Sequence, residues 1–260
     1  MQALAAEFNY SETTFVLPPD DERHTAKVRI FNRTHEMPFA GHPNVGTGYV
    51  LATQGRDRDG VLLFEQLAGL VEVQVDRDRG GVVTGATIAA PQILSLGPEL
   101  SLEDVAGCVG LDAADIRVET HRPIAASVGL TFVLVEVTSA ALSQAAPIAG
   151  EFRRVVDRSP ELGGRLSIHL YAQEGSHRLR ARMFSALAGT YEDPATGSAN
   201  GALAALLVFS SGAESQSFEI AQGVEMGRPS IGLGSAGAAS LSFGGRRYCS
   251  RDATGWRKPR

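Results

Sequence analysis

Two stretches of this 260-residue chain follow one plan. RIFNRTHEMPFAGHPNVGTGYVLA begins at Arg29 and RMFSALAGTYEDPATGSANGALAALL begins at Arg182. Each opens with Arg, an apolar residue and Phe at the end of a strand pattern. Each passes through a polar loop to Gly followed by His or Ser, and then enters an apolar helix. Gly41-His42-Pro43-Asn44 stands in one where Gly197-Ser198-Ala199-Asn200 stands in the other. Solenoid repeats recur every ~20–50 residues, far closer than these two stretches. The reading is therefore two similar α+β domains, each built round a central helix. Met1–Val118 would form the first and Glu119–Ser235 the second, with residues 236–260 returning to the first or disordered.

The second stretch sharpens the chemistry. Ala202 to Leu207 is apolar around the whole helix, so that segment should be buried. Its approach carries Asp193, Pro194, Thr196, Gly197 and Ser198, with more side-chain oxygens than one N-cap requires. If both helix starts face one cleft, their free N–H groups and partial positive charges, ~+0.5 each, make an anion site.

The rest of the chain supplies sheet and cover. Met1–Asn9 reads as an amphipathic helix. TTFVLPP, AKVRIFN, VLLFEQ, GLVEVQV, GVVTGATIAA and the region around Ile93 read as strands. Ser101 opens a short helix with a capping-box-like start. Ile116–Thr120, FVLVEV, RLSIHLYAQ and HRLRARMFS supply further strands, with helices near Ala140–Ala146 and Glu151–Ser159. The basic tail from about Arg246, with Trp256, gains little from burial and is expected to attach loosely. The sheet edge near the first helix is expected to be open, which favours homodimers or aggregates.

Bulk properties exclude several classes. A formal net charge of −5 argues against nucleic-acid and acidic-membrane binding. No apolar run reaches the ~18 residues of a membrane span. Two cysteines cannot make a disulfide framework, which makes a reducing, cytoplasmic setting the expectation. The histidines show no metal-ligand spacing. Gly46-Thr47-Gly48 and GLGSAG (Gly232–Gly237) lack the strand–loop–helix context of a nucleotide site. Neither metal nor organic cofactor is expected.

SETTFVL at Ser11–Leu17, EMPFAGHPNVGTG at Glu36–Gly48, EDPATGSANGALA at Glu192–Ala204 and QGVEMGRPS at Gln222–Ser230 resemble the phenazine-biosynthesis, PhzF-type isomerase family. The resemblance runs from Met1 to about Ser230. It implies the diaminopimelate-epimerase fold, two pseudosymmetric domains with the active site between them, and an isomerase needing no cofactor. It implies Glu12 as the acid/base that moves a proton between carbons, with His42, Asp193 and Ser198 as partners. Gly41, Pro43, Asn44, Thr196 and Gly197 would hold a small carboxylated substrate. In a closed apolar cleft the Glu12 pKa should be pushed toward neutrality. Two departures stand out: the chain starts inside the family's first helix, and its tail does not resemble the family's closing strand.

Related racemases use a pair of cysteines where His42 and Ser198 stand, which excludes two-thiol chemistry by residue type. A catalytically impaired metabolite-binding homologue is one competing reading. A serine hydrolase using Ser198 and His42 is another, although Gly197-Ser198-Ala199-Asn200-Gly201 is not the G-x-S-x-G elbow. Glu36, Arg29 and Arg182 are read as bracing the loops and strand ends.

Overall fold

The computed structural model describes residues 1–89, 92–188, 190–237, 240–246, 251–252 and 255–256. In the first half, α1 (Gln2–Phe8) precedes β1 (Thr13–Leu17), β2 (Ala26–Phe31) and the short β3 (Glu36–Met37). Then come α2 (Gly41–Thr53), β4 (Val61–Gln66), β5 (Gly69–Arg77) and β6 (Val83–Ala89). A connecting region holds β7 (Ser95–Glu99), α3 (Leu102–Val109), β8 (Ile116–Arg117), β9 (Ile124–Ser127) and β10 (Thr131–Val137). It continues through α4 (Ser139–Gln144) and α5 (Ala149–Arg158). The plan of the first half then returns as β11 (Ile168–Gln173), β12 (Arg178–Ser185), β13 (Thr190–Asp193), α6 (Gly197–Ser211), β14 (Ser215–Gln222), β15 (Ser230–Gly237) and β16 (Ser240–Arg246).

The repeat holds residue by residue. Phe31 pairs with Thr13 across β1 and β2, as Phe184 pairs with Ile168 across β11 and β12. Ile30 and Phe31 pair with Met37 and Glu36, as Met183 and Phe184 pair with Asp193 and Glu192. β2 runs parallel to β4, and β12 runs parallel to β14. One continuous sheet orders its strands β1-β2-β4-β5-β6-β16-β15-β14-β12-β11-β10-β9-β7, so the β6–β16 pair joins the halves. The sheet curls round a helix in each half. α2 packs on β5, β6, β16 and β1, and α6 packs on β14, β15, β16, β9 and β10.

The two central helices differ in burial. α6 is buried continuously from Ser198 to Val208. Leu203, Leu206, Leu207 and Val208 each contribute ~1.5–3 kcal/mol of apolar transfer free energy there. α2 is enclosed through Pro43, Asn44, Thr47, Gly48, Leu51 and Ala52, but Gly46, Val50 and Thr53 form an exposed stripe. The surroundings differ: α6 also meets β9 and β10, whereas α2 meets β1. Gly48 is required by packing, because a Cβ there would lie 2.6 Å from Val73 Cγ1.

Several local expectations shift. The second helix begins at Gly197, at the expected Gly-Ser start, and extends past its apolar Ala202–Leu207 segment to Ser211. The strand expected at Ile116–Thr120 is only Ile116–Arg117, while β9 and β13 had no clear sequence signal. Leu100, Val105 and Val109 pack with Val133, Phe152, Ile168 and Phe184 in one core. β16 carries ordered pairing as far as Arg246, and Arg251–Asp252 pairs with Gly255–Trp256 as a separate ribbon. The other tail residues, and every tail side chain, lie outside the described residues. Among the described residues no helix is long and apolar enough to cross a membrane.

Candidate active site

Two matched clamps set the geometry. Arg29 donates from Nε and Nη2 to Glu36 at 2.8 and 2.6 Å, with its guanidinium 5.1 Å from the Phe31 ring centre. Arg182 donates to Glu192 at 2.8 and 2.9 Å and sits 4.8 Å from the Phe184 ring. Arg182 also donates to the carbonyls of Leu142 and Ala145. Each clamp fixes a short strand, β3 or β13, just ahead of a helix start. Bidentate guanidinium–carboxylate geometry constrains orientation as well as distance.

Neither helix start is capped by a side chain. The oxygens ahead of α6 are used otherwise. Thr196 Oγ1 donates to Asp193 Oδ2 at 2.6 Å. Gln222 Oε1 accepts from the Thr196 N–H at 3.0 Å, while its amide donates to the Asp193 carbonyl and Thr196 Oγ1. Asn44 and Gln66 bond each other in the first half as Asn200 and Gln222 do in the second. These amides lock the loops and leave the first N–H groups of both helices without a side-chain cap.

Both helix starts line one cavity of about 1020 Å³, together with Glu12, Asp193 and Thr196. Among the expected residues, Glu12, Gly41, His42, Asp193, Thr196, Gly197 and Ser198 come together there. Pro43 and Asn44 do not. Both are buried, and Asn44 donates to the Ala40 carbonyl at 3.0 Å as part of the loop lock.

Glu12 Oε2 lies 2.9 Å from His42 Nε2. The pair is close but poorly aligned, since no well-directed hydrogen bond reaches that oxygen. Asp193 is only 5 % exposed, and its Oδ1 has no hydrogen-bond partner among the described residues. The three groups can bring their ligand atoms within 4.8 Å of one another. Two carboxylates and an imidazole could in principle hold a divalent cation, a juxtaposition invisible in the sequence spacing. The direct Glu12–His42 contact makes them an ionic cluster in their own right.

Burial penalises every charge in this cluster, yet the pairing outweighs it at two members. Burial raises the Glu12 pKa, but the His42 contact and charge, with a bond from Ser11, take it below its ordinary value. The expected shift toward neutrality is thus reversed, because a cation stands beside the carboxylate. His42 is pulled down by burial and pushed up by Glu12, Asp193 and the Ala195 backbone, to about 9. For Asp193 burial wins over the nearby His42, with repulsion from Glu12 adding to it, and the pKa is raised. Near neutral pH the cluster is an ionised Glu12 against an imidazolium, with Asp193 as the strained third member.

The cavity also contains groups that sequence reasoning missed. Ser167 and Ser185 line it, as do Met37 and Met183. Aligning LSI at Leu166–Ile168 on SET at Ser11–Thr13 would have found Ser167, but no aligned position of the two segments matches. Buried His169 lies outside the cavity lining, and burial lowers its pKa to about 4. Cys108 is a buried free thiol whose pKa burial raises to about 12.

Comparison with known proteins agrees with this architecture. Residues 1–233 match the family described as phenazine biosynthesis-like protein. An uncharacterized isomerase of Mesorhizobium japonicum is 37% identical over 243 residues, covering 88% of this chain and 78% of that protein. The trans-2,3-dihydro-3-hydroxyanthranilate isomerase of Pseudomonas chlororaphis is 37% identical over 234 residues, covering 89% and 77%. A Bacillus anthracis protein of the PhzF family superposes with a TM-score of 0.82 at 24% identity, over 95% of this chain and 85% of that one. A hydroxyproline epimerase from Agrobacterium vitis shares the fold at TM-score 0.54 and 16% identity, over 90% and 71%. With two pseudosymmetric halves closing round a carboxylate–imidazole cluster, and these relatives, the chain belongs to the phenazine biosynthesis-like, PhzF-type family of isomerases.

Proposed function

We propose that the protein shifts a proton within a small carboxylated substrate, using Glu12 as the one acid/base and no organic cofactor. The observation that carries this reading is the Glu12 carboxylate held 2.9 Å from His42 at an uncapped helix start. Glu12 takes a proton from a substrate C–H bond, and the electron pair moves into the adjoining unsaturated system. The substrate carboxylate lies at the starts of α2 and α6, where free N–H groups stabilise the developing charge. The same Glu12 carboxyl then returns the proton to another carbon, so atoms and charge balance within one molecule. His42 keeps Glu12 ionised between turnovers, and Asp193 holds His42 charged or accepts from a substrate amine.

The serine hydrolase reading lacks its central contact. Ser198 Oγ makes no hydrogen bond among the described residues, and His42 is committed to Glu12. We propose a homodimer as the working state, supported by the outer edge of β1, unpaired among the described residues, and its exposed Val16.

The test is incubation in heavy water with a panel of small unsaturated carboxylates. It should include trans-2,3-dihydro-3-hydroxyanthranilate, which the Pseudomonas relatives are named for. Deuterium should enter carbon positions of at least one compound, with or without a chelator. Compounds that bind but never exchange would instead favour a metabolite-binding protein.

A further inference from the structure

The cavity wall repeats from one half to the other, except in what the matched positions carry. The strand pairing sets Thr13–Phe31 on Ile168–Phe184. The residue ahead of the first strand is therefore Glu12 in one half and Ser167 in the other. The residue after the paired phenylalanine, Phe31 or Phe184, is Asn32 in one and Ser185 in the other. All four line the cavity. Where the first half presents a proton carrier, the second presents two hydroxyls with their Oγ atoms 2.8 Å apart.

Two serines carry two hydroxyl protons, and their mutual bond uses one. No other hydrogen bond reaches either hydroxyl among the described residues. Ser185 is only 7 % exposed and Ser167 is half-buried, so bulk water reaches the pair mainly through the cavity. One O–H donor is thus left in the cavity wall without a protein acceptor, and such a donor is costly to leave unmet. A serine pair cannot act as a second base near neutral pH, so its available role is recognition. A donor in a cavity wall selects a ligand oxygen.

We propose that Ser167 and Ser185 form a binding subsite for an oxygen function, hydroxyl or carbonyl, on the side of the carboxylated substrate facing away from Glu12. The inference rests on reading this cavity as the substrate site. It narrows the substrate class to carboxylates bearing a further oxygen. The competing view is that the two serines only tie β11 to β12. That view gives them no influence on which ligand is preferred.

The test compares 3-hydroxyanthranilate with anthranilate by isothermal titration, since the two differ by one oxygen and neither can be isomerised. The parent should prefer 3-hydroxyanthranilate by roughly 3- to 10-fold, the range of one neutral hydrogen bond. Ser167→Ala and Ser185→Ala should each bring that ratio close to one, while anthranilate binding stays within about two-fold. The double variant should lose no more than either single one, because the pair acts as a unit. A preference that survives both single variants overturns the subsite. So does a parent that binds both probes equally, or neither. Solvent-deuterium exchange judges the isomerase reading separately: preference without exchange keeps the subsite and sinks the isomerase, and exchange without preference does the reverse.

Discussion

Replacing His42 with Gln tests the electrostatic core of the site, because it keeps a hydrogen-bonding side chain and removes the charge. Unit charges 2.9 Å apart attract by about 6 kcal/mol at an effective dielectric near 20. The His42 side chain is 34% exposed, so screening should reduce this to about 3 kcal/mol. In the parent this attraction outweighs burial and holds Glu12 below its ordinary value. In His42→Gln burial is opposed only by the Ser11 hydrogen bond, so Glu12 should titrate at higher pH than in the parent. Carboxyl carbon NMR of glutamate-labelled protein reads this without any substrate. The coupling is reciprocal, so Glu12→Gln should bring His42 down from about 9 toward 6.5. A Glu12 that titrates at the same pH in parent and variant would refute the reasoning, because the pair would then be a contact without electrostatic consequence.

Stability should follow the same pair. His42 has its pKa raised on folding, so its contribution is complete below about 6.5 and fades as pH rises through about 9. The gap in urea unfolding free energy between parent and Glu12→Gln should close over that window. Arg182→Ala leaves Glu192 and two buried carbonyls unmatched and should cost about 3–5 kcal/mol by denaturant unfolding. Arg29→Ala breaks a more exposed copy of the clamp and should cost about 1 kcal/mol or less. Equal losses at the two positions would contradict the burial argument. Gly48→Ala forces a methyl against Val73 and should destabilise by about 1–3 kcal/mol. A neutral result would mean that α2 can shift away from β5.

Much of this was legible because the repeat is written in residues whose chemistry is restrictive. Arg-x-Phe, the Glu of each loop and Gly-His or Gly-Ser at each helix start come in the same order, and the structure pairs them alike. Glu12 and His42 are far apart in sequence, and only the SETTF and GHPN motifs tied them together. The protonation of Glu12 was misjudged because burial alone was considered. The imidazolium that reverses the shift is a tertiary contact. Pro43 and Asn44, which the motif placed with the substrate, are buried in α2 and outside the cavity lining. The oxygens ahead of α6 looked like surplus caps, whereas Gln222, from a distant strand, turns Thr196 toward Asp193. β9 and β13 escaped notice because they are short and their pairing is decided by neighbouring strands.

The central claim is that Glu12 carries the proton. The most direct measurement is carbon-bound deuterium incorporation in heavy water by parent, Glu12→Gln and Ser198→Ala, with any substrate the parent exchanges. Glu12→Gln should still bind that substrate, because the helix starts and Ser198 remain, while exchange falls by at least ~10²–10⁴-fold. Ser198→Ala should weaken binding more than it slows exchange at saturation. If Glu12→Gln exchanges as fast as the parent, while Asp193→Asn abolishes exchange without loss of binding, then the proton carrier is Asp193 and the account given for Glu12 is wrong.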